Sequence, residues 1–329
     1  MLRVTHYLRK PLPGVFSIER LFEDVREHLP ADITATTCVN RHPSRGLTPR
    51  LADAVRARGS QGEVNHVTGD VHYLTYLLDR RRTVLTIHDC VALQRTRGLR
   101  HWLLRELWYR IPVHKARVIT VISEATRRQV ASYTGCSLEK VRVIPNCVSS
   151  VYRHCPKSFR RDRPRVLHVG TKPNKNLERH AAAMAGLGCV LVVVGRLSAR
   201  QEAYLAEKEV AVENYVDLSL EALVDQYRRC DLLLFASTYE GFGLPIVEAQ
   251  AVGRPVVTSN CFSMPEVAGG AAQLVDPFDV ASIREGLQRV LADPDYRTSL
   301  IAQGLENVKR FRPEAIAEQY AALYREVYE

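Results

Sequence analysis

Short β-branched runs alternate with amphipathic helical stretches along the chain, and the alternation runs through twice. In the first half, strands are expected at Leu2–Tyr7, Ile33–Cys38, Val64–Thr68, Thr83–Ile87, Val118–Ile122 and Val141–Ile144. Helical patterns such as Ile18–His28 and Ser123–Ser132 lie between them. In the second half, strands are expected at Arg165–Val169, Val190–Val194, Val212–Val216, Leu232–Phe235, Pro255–Thr258 and Gln273–Val275. Such alternation requires parallel sheets covered by helices on both faces. At 329 residues and 46% hydrophobic content, the chain is too long for one core of this kind. The expected fold is therefore α/β, with two Rossmann-like doubly wound domains. The first spans 1–150 and the second 166–312. The basic, aperiodic stretch 151–165, with Pro156 and Pro164, reads as the linker. A last helix, 313–329, carries Ile316, Tyr320, Leu323 and Tyr324 on one stripe and is expected to pack back on the first domain.

Bulk properties narrow the class. No segment has the unbroken apolar length that spans a bilayer. Met1–Lys10 lacks the apolar core of a secretory signal, so a cytoplasmic protein is expected. None of the eight cysteines forms a C-x-x-C pair, which points to buried free thiols and to neither a zinc nor a thioredoxin-like site. The net charge is +10, and it is unevenly spread. Residues 1–150 hold 24 Lys and Arg against 13 Asp and Glu, and the remainder 22 against 23. A basic half suits an anionic partner, or is a solubilising surface.

In open α/β sheets, ligands bind beyond the carboxyl ends of strands. One such end reads Val169-Gly170-Thr171-Lys172-Pro173-Asn174-Lys175-Asn176. Gly170 allows close backbone approach, and the helix opening near Asn176 offers free N–H groups beside the Lys175 charge. A diphosphate fits that chemistry; so does an ordinary turn with an exposed lysine. A second strand end reads Ser237-Thr-Tyr-Glu240-Gly-Phe242-Gly243-Leu244-Pro245-Ile-Val-Glu248-Ala. The two glycines loosen the backbone before a helix that Pro245 can start, and its free N–H groups again face an anion. Glu248 lies one turn beyond Leu244, about 6 Å along the axis. That is the reach from a bound phosphate to the hydroxyls of a ribose. Glu240 precedes the turn, where a sugar on the diphosphate would lie. Taken singly, Glu248 could serve the helix dipole and Glu240 could cap the loop.

In the first half, Thr83–Ile87 delivers His88 and Asp89 to its carboxyl end, a polar pair that either serves a reaction or is satisfied locally. Gly69 and Asp70 follow another strand; Asp70 either meets an acceptor hydroxyl or fixes the turn. Residues 95–117 hold six arginines and Lys115 against Glu106 alone, interleaved with both tryptophans of the chain, Trp102 and Trp108. That pattern suits peripheral contact with an anionic membrane, a groove for a lipid-linked phosphorylated acceptor, or a core-facing amphipathic helix with a charged back. Leu103 and Leu107 are expected to be core in each case.

The run Glu240-Gly-Phe-Gly-Leu-Pro-x-x-Glu248-Ala resembles the E-x7-E signature of family 4 retaining glycosyltransferases. The resemblance continues, in order, through Thr86-Ile-His-Asp89, Val121-Ile-Ser-Glu124, Val143-Ile-Pro-Asn146, Val169-Gly-Thr with Lys175-Asn176, Gly253-Arg-Pro-Val-Val and Met264-Pro-Glu-Val. It implies the GT-B architecture, two domains facing across a cleft, the second holding a nucleotide-sugar donor such as a GDP- or UDP-sugar and the first an acceptor. It further implies retained anomeric configuration, no metal and no separate cofactor. By resemblance Glu248 binds ribose, Glu240 the donor sugar, Lys175 and the Gly243–Leu244 amides the diphosphate. His88 then sits near the reacting sugar, and Gly14, after the first strand, approaches the phosphates. Many relatives carry an arginine where Thr171 and Lys172 stand here. The expected function is transfer of a hexose, mannose or similar, to a glycan or lipid-linked acceptor in cell-surface polysaccharide synthesis, at the inner face of the membrane. Rival readings are a nucleotide-sugar epimerase, a non-catalytic binding module on the same fold, and, from the pI of about 9.3, a nucleic-acid binder. No RNA-binding signature supports the last, so no nucleic-acid partner is expected.

Overall fold

A computed structural model describes residues 1–11 and 17–329. Among the described residues, two six-stranded sheets form, and every strand pair in them is parallel. The chain divides into two compact units. One comprises Met1–Cys147 with Pro313–Glu329, the other Val148–Arg312.

The first unit holds β1 (Leu2–Leu8), β2 (Ile33–Val39), β3 (Val64–Val67), β4 (Thr83–Ile87), β5 (Val118–Val121) and β6 (Val141–Val143), in the order β2-β1-β3-β4-β5-β6. β3, β4 and β5 are buried along their whole length, as expected of central parallel strands covered on both sides. The last helix, Pro313–Tyr328, lays Ile316, Tyr320, Leu323, Tyr324 and Val327 on the core formed by Val4, Phe22, Val25 and Ile144. A buried polar chain fixes it there. The Tyr324 hydroxyl lies 2.9 Å from His6 Nε2 and 2.7 Å from His66 Nδ1, and His66 Nε2 lies 2.7 Å from Thr86 Oγ1.

The second unit holds β7 (Arg165–Val169), β8 (Val190–Val194), β9 (Ala211–Tyr215), β10 (Leu232–Phe235), β11 (Val256–Ser259) and β12 (Gln273–Val275). Their order, β12-β11-β10-β7-β8-β9, reverses direction between β7 and β10, the point at which doubly wound sheets open a crevice for ligands. Serine or aspartate side chains cap four of its helices, at Ser198, Ser219, Asp279 and Asp293. Ser198 makes a reciprocal capping box with Gln201, and Asp293 accepts from the Tyr296 amide at 2.9 Å. The stretch read as a linker is held on this unit. Lys157 pairs with the buried Asp231, and Arg254 donates to the Cys155 carbonyl at 2.9 Å.

The basic stretch 95–117 folds as Gly98–Leu104, a π-helical turn Arg105–Arg110, and Ile111–Lys115. Contrary to the expectation for Leu103 and Leu107, both are exposed, and Leu104, Trp108, Tyr109 and Val113 meet the core. Each misassigned leucine sits one residue, about 100° of rotation, before the residue that faces inward. No helix among the described residues is long and apolar enough to cross a membrane. All eight cysteines are free, and burial pushes the Cys90, Cys147 and Cys230 thiols up to about 12.

Burial also holds five histidines neutral: His6 down to about 3, His180 down to about 4, and His66, His72 and His168 below the ordinary histidine value. Between those values and the unfolded pKa of about 6.5, the unfolded chain binds more protons than the native one. Stability should therefore be full above about pH 6.5 and fall as pH drops below it. The loss should be up to roughly 1.4 kcal/mol per buried histidine for each pH unit. Urea midpoints measured from pH 8 to pH 5 check this: they should be level down to about pH 6.5 and fall below it; a midpoint that stays level throughout would contradict it.

Candidate active site

The residues singled out in the second half converge where its sheet reverses. β7 pairs with β10 in register Val166 to Leu232 and Leu167 to Leu233, so the loops after them leave side by side. Gly170 opens the first loop at φ 91°, and a Cβ there would meet the Lys175 stem at 3.1 Å. Glycine is thus needed both for the left-handed backbone and for the passage of Lys175 across it. The Lys175 ammonium lies 2.7 Å from Glu240 Oε1 and 4.5 Å from the centre of the Phe235 ring. Both members of this ion pair are mostly shielded, with side chains 18% and 14% exposed. Asn174 Nδ2 donates to the same Glu240 oxygen at 3.2 Å and to the Tyr239 carbonyl at 3.0 Å. The Thr238 amide donates back to the Asn174 carbonyl at 2.8 Å. The two loops are therefore stitched through main chain and side chain alike.

Gly243 turns the second loop at φ 107° into helix Leu244–Val252, with Pro245 in its first turn. This helix is apolar except for Gln250, which is buried and bonded to the Ala268 and Ala271 carbonyls, and Glu248, the one charged residue in it. A single carboxylate on a mostly apolar, mostly buried helix needs partners, and the hydroxyl of buried Tyr227 donates to Glu248 Oε2. Desolvation and the adjacent carboxylate hold the Tyr227 hydroxyl well above its ordinary value, so it stays a donor. Phe242 is buried, its ring edge-on to Phe311. Thr171 donates to the Arg196 carbonyl at 2.7 Å, and Lys172 is exposed at the turn.

Two supports lay outside the sequence reading. Ser263 Oγ lies 2.9 Å from the Glu240 carbonyl and 2.8 Å from the Phe242 carbonyl, bracing the loop from below. Behind the site, His180 Nε2 donates to the Ala236 carbonyl at 3.2 Å, which leaves its Nδ1 to accept from His168 Nδ1 at 2.9 Å. Asn176, at φ 66°, adds a 3.0 Å bond to the same carbonyl and one of 2.7 Å to Pro277. Asn174 adjoins Lys175 in sequence and could have been named with it; Ser263, His168 and His180 carry no local signal.

In the first unit, His88 is buried after β4, and its Nε2 donates to the Thr68 carbonyl at 2.8 Å. That fixes the proton on Nε2 in the neutral ring and leaves Nδ1 an acceptor. Gly69 is buried after β3, and its carbonyl accepts from the Val71 amide at 2.7 Å. Asp70 is exposed and pairs with Arg9 at 3.4 Å, while Arg9 forks onto Glu19. Gly14 lies outside the described residues.

Two family models match. One, described as glycosyl transferases group 1, covers residues 156–307; the other, glycosyltransferase family 4, covers residues 22–152. O-antigen chain mannosyltransferase B of Escherichia coli is 40% identical over 99 residues, 30% of this chain and 26% of that protein. The serotype-specific mannosyltransferase WbdA, also of Escherichia coli, is 26% identical over 259 residues, 70% of this chain and 32% of that protein. The chain thus spans a third or less of the length of these two relatives. Among solved structures, sucrose-phosphate synthase of Thermosynechococcus elongatus superposes with a TM-score of 0.82 at 19% identity, covering 100% of this chain and 99% of its own. Anabaena HepE, in complex with UDP and glucose, superposes with a TM-score of 0.76 at 17% identity, over 99% and 100%. With one model on each half, the family's motifs in order and the fold shared throughout, the chain belongs to the family 4 glycosyltransferases and has the GT-B fold.

Proposed function

We propose that the chain transfers a hexose, mannose or similar, from a nucleoside-diphosphate sugar to a hydroxyl of a glycan or lipid-linked acceptor, with retention, in cell-surface polysaccharide synthesis. The observation that carries this reading is the Lys175–Glu240 pair at the start of the Pro245 helix, with Glu248 one turn further on. The mannosyltransferase relatives support the sugar and the pathway class, and the UDP complex of the Anabaena protein supports a nucleotide donor.

In this reading the donor diphosphate docks on the free amides at Gly243 and Leu244, with Lys175 beside it, and Glu248 receives the ribose hydroxyls. Negative charge grows on the diphosphate as the bond from sugar C1 to phosphate oxygen breaks. Fixed dipoles and an ammonium stabilise that charge without reorganising, as water would have to. Glu240 orients the sugar and offsets the positive character at C1. The acceptor oxygen bonds C1 from the face the phosphate leaves, and the acceptor proton passes to the departing phosphate oxygen. No enzyme base and no metal are needed for that balance. His88, with Nδ1 free to accept, is assigned to the sugar, and Asp70 and Gly69 to the acceptor side. The protein works in the cytoplasm, at the inner face of the membrane, where basic residues of 95–117 meet it.

Three outcomes follow. Glu240→Gln, which keeps the shape of the side chain, should lower kcat by roughly 100-fold or more while leaving the melting temperature within a few degrees; a rate near that of the parent would remove Glu240 from the chemistry. In a thermal-shift panel of nucleoside diphosphates and their sugars, the correct base at about 100 times its Kd should stabilise the fold by about 2.7 kcal/mol. If no nucleotide raises the melting temperature, the donor assignment fails. Transfer should persist undiminished in EDTA, measured by product formation from the nucleotide sugar identified in the panel.

A further inference from the structure

Two apolar stripes stand in solvent on neighbouring helices of the first unit. Helix Leu47–Arg58 turns Asp53, Ala54 and Ala57 inward. It leaves Leu47, Leu51 and Val55 outside at four-residue spacing, Leu47 85% exposed. The helical stretch 98–115 commits Leu104, Trp108, Tyr109 and Val113 to the core, yet also exposes Leu99, Trp102, Leu103 and Leu107. Both helices flank the short segment His72–Tyr76. Arg50 lies over the Tyr73 ring at 5.9 Å and over the Trp108 ring at 4.8 Å, and the Tyr76 hydroxyl donates to the Leu107 carbonyl at 2.8 Å. Apolar side chains clustered this way in water mark a surface that something covers.

The charges say what. Residues 41–58 and 95–117 together hold twelve Arg and Lys against two acids. Neither acid offers free negative charge. Asp53 is buried and accepts from the Arg41 and His42 amides, and Glu106 is paired with Arg105 at 2.8 Å and Arg110 at 3.0 Å. Arg97 and Arg100, beside Leu99 and Trp102, are exposed. A second copy of this chain would set like charge against like. An anionic bilayer instead offers phosphate oxygens to the arginines and acyl boundary to the leucines and Trp102.

We propose that this two-helix face docks on an anionic lipid bilayer, with Leu47, Leu51, Trp102 and Leu107 entering the headgroup boundary. The inference deepens the function proposed above and rests on it for its purpose: a lipid-linked acceptor presents its hydroxyl at that same boundary.

The test uses the full chain with vesicles of phosphatidylcholine alone and of phosphatidylcholine mixed with phosphatidylglycerol. Both tryptophans of the chain lie on this stretch, so intrinsic fluorescence reports docking directly. The parent protein should co-sediment with the anionic vesicles only, its emission should shift to the blue, and binding should weaken as salt rises. Three double variants change exposed positions and should keep the parent melting temperature: Leu47→Ser with Leu51→Ser, Trp102→Ser with Leu107→Ser, and Arg97→Glu with Arg100→Glu. Each should bind the anionic vesicles at least about tenfold more weakly. Undiminished binding by both serine pairs would overturn the proposal in favour of adsorption by charge alone. So would a parent that ignores vesicles and forms dimers that the serine pairs dissolve, which would make the occupant a second copy. Loss of vesicle binding by the parent with sugar transfer intact on a water-soluble acceptor refutes the membrane face alone. Vesicle binding with no nucleotide-sugar turnover refutes the transferase reading alone.

Discussion

The contact between the Lys175 ammonium and the Glu240 carboxylate ties together the loops that leave β7 and β10, and the candidate site stands or falls with it. A mostly shielded carboxylate without a cation would lose much of its solvation for nothing in return. The same holds for the lysine. Each therefore fixes the other, and Asn174 holds the shared oxygen in place. On the function proposed here, a diphosphate arriving beside Lys175 would meet a cation already positioned and already partly stripped of water. Its arrival would draw the lysine toward phosphate and free Glu240 for a sugar hydroxyl.

That arrangement depends on backbone that few residues can adopt. Gly170 and Gly243 both lie at left-handed φ, and each would collide with a neighbour if it carried a side chain: Gly170 with the Lys175 stem, Gly243 with Ile246, both at 3.1 Å. The packing behind the loops is correspondingly firm. The His168–His180 pair, Asn176 and Ser263 hold the Ala236, Glu240 and Phe242 carbonyls at the strand end. These polar groups are buried and neutral, so they specify the loop's path without adding charge near the phosphate position.

The strand–helix alternation was readable because central parallel strands are apolar on both faces; β10 reads Leu-Leu-Leu-Phe and is wholly buried. The Pro245 helix was readable because glycine, proline and a lone glutamate break an apolar run at fixed spacing. What local pattern cannot carry is contact across the chain. Ser263 reaches a loop more than twenty residues away, and Tyr227 reaches Glu248 from a different helix. Neither residue is unusual where it stands. The error at Leu103 and Leu107 has another cause. Stretch 98–115 carries two apolar stripes, and periodicity alone does not say which one the core takes. The tail helix shows the opposite case. Its stripe was plain, but that it returns to His6 and His66, some three hundred residues earlier in one case, is a property of the packed unit.

Charge is distributed unevenly between the two halves of the chain, and the two proposed anions account for the difference. Residues 151–329 are almost neutral overall, 22 basic against 23 acidic, although this half carries the candidate diphosphate site. A single small anion needs only a few donors at fixed positions, and a helix start with one lysine supplies them. Bulk positive charge would add attraction without direction. Residues 1–150 hold the whole excess, and there it is spread over two helices beside exposed leucines. A spread of cations is what an extended surface of phosphates matches, since each arginine adds a modest increment and none needs an exact partner. On the proposed function, the two halves would separate recognition by geometry from attraction by field. The same +10 net charge that first suggests a nucleic-acid binder is, once located, carried by residues 1–150, mostly in the two stretches that also expose leucines.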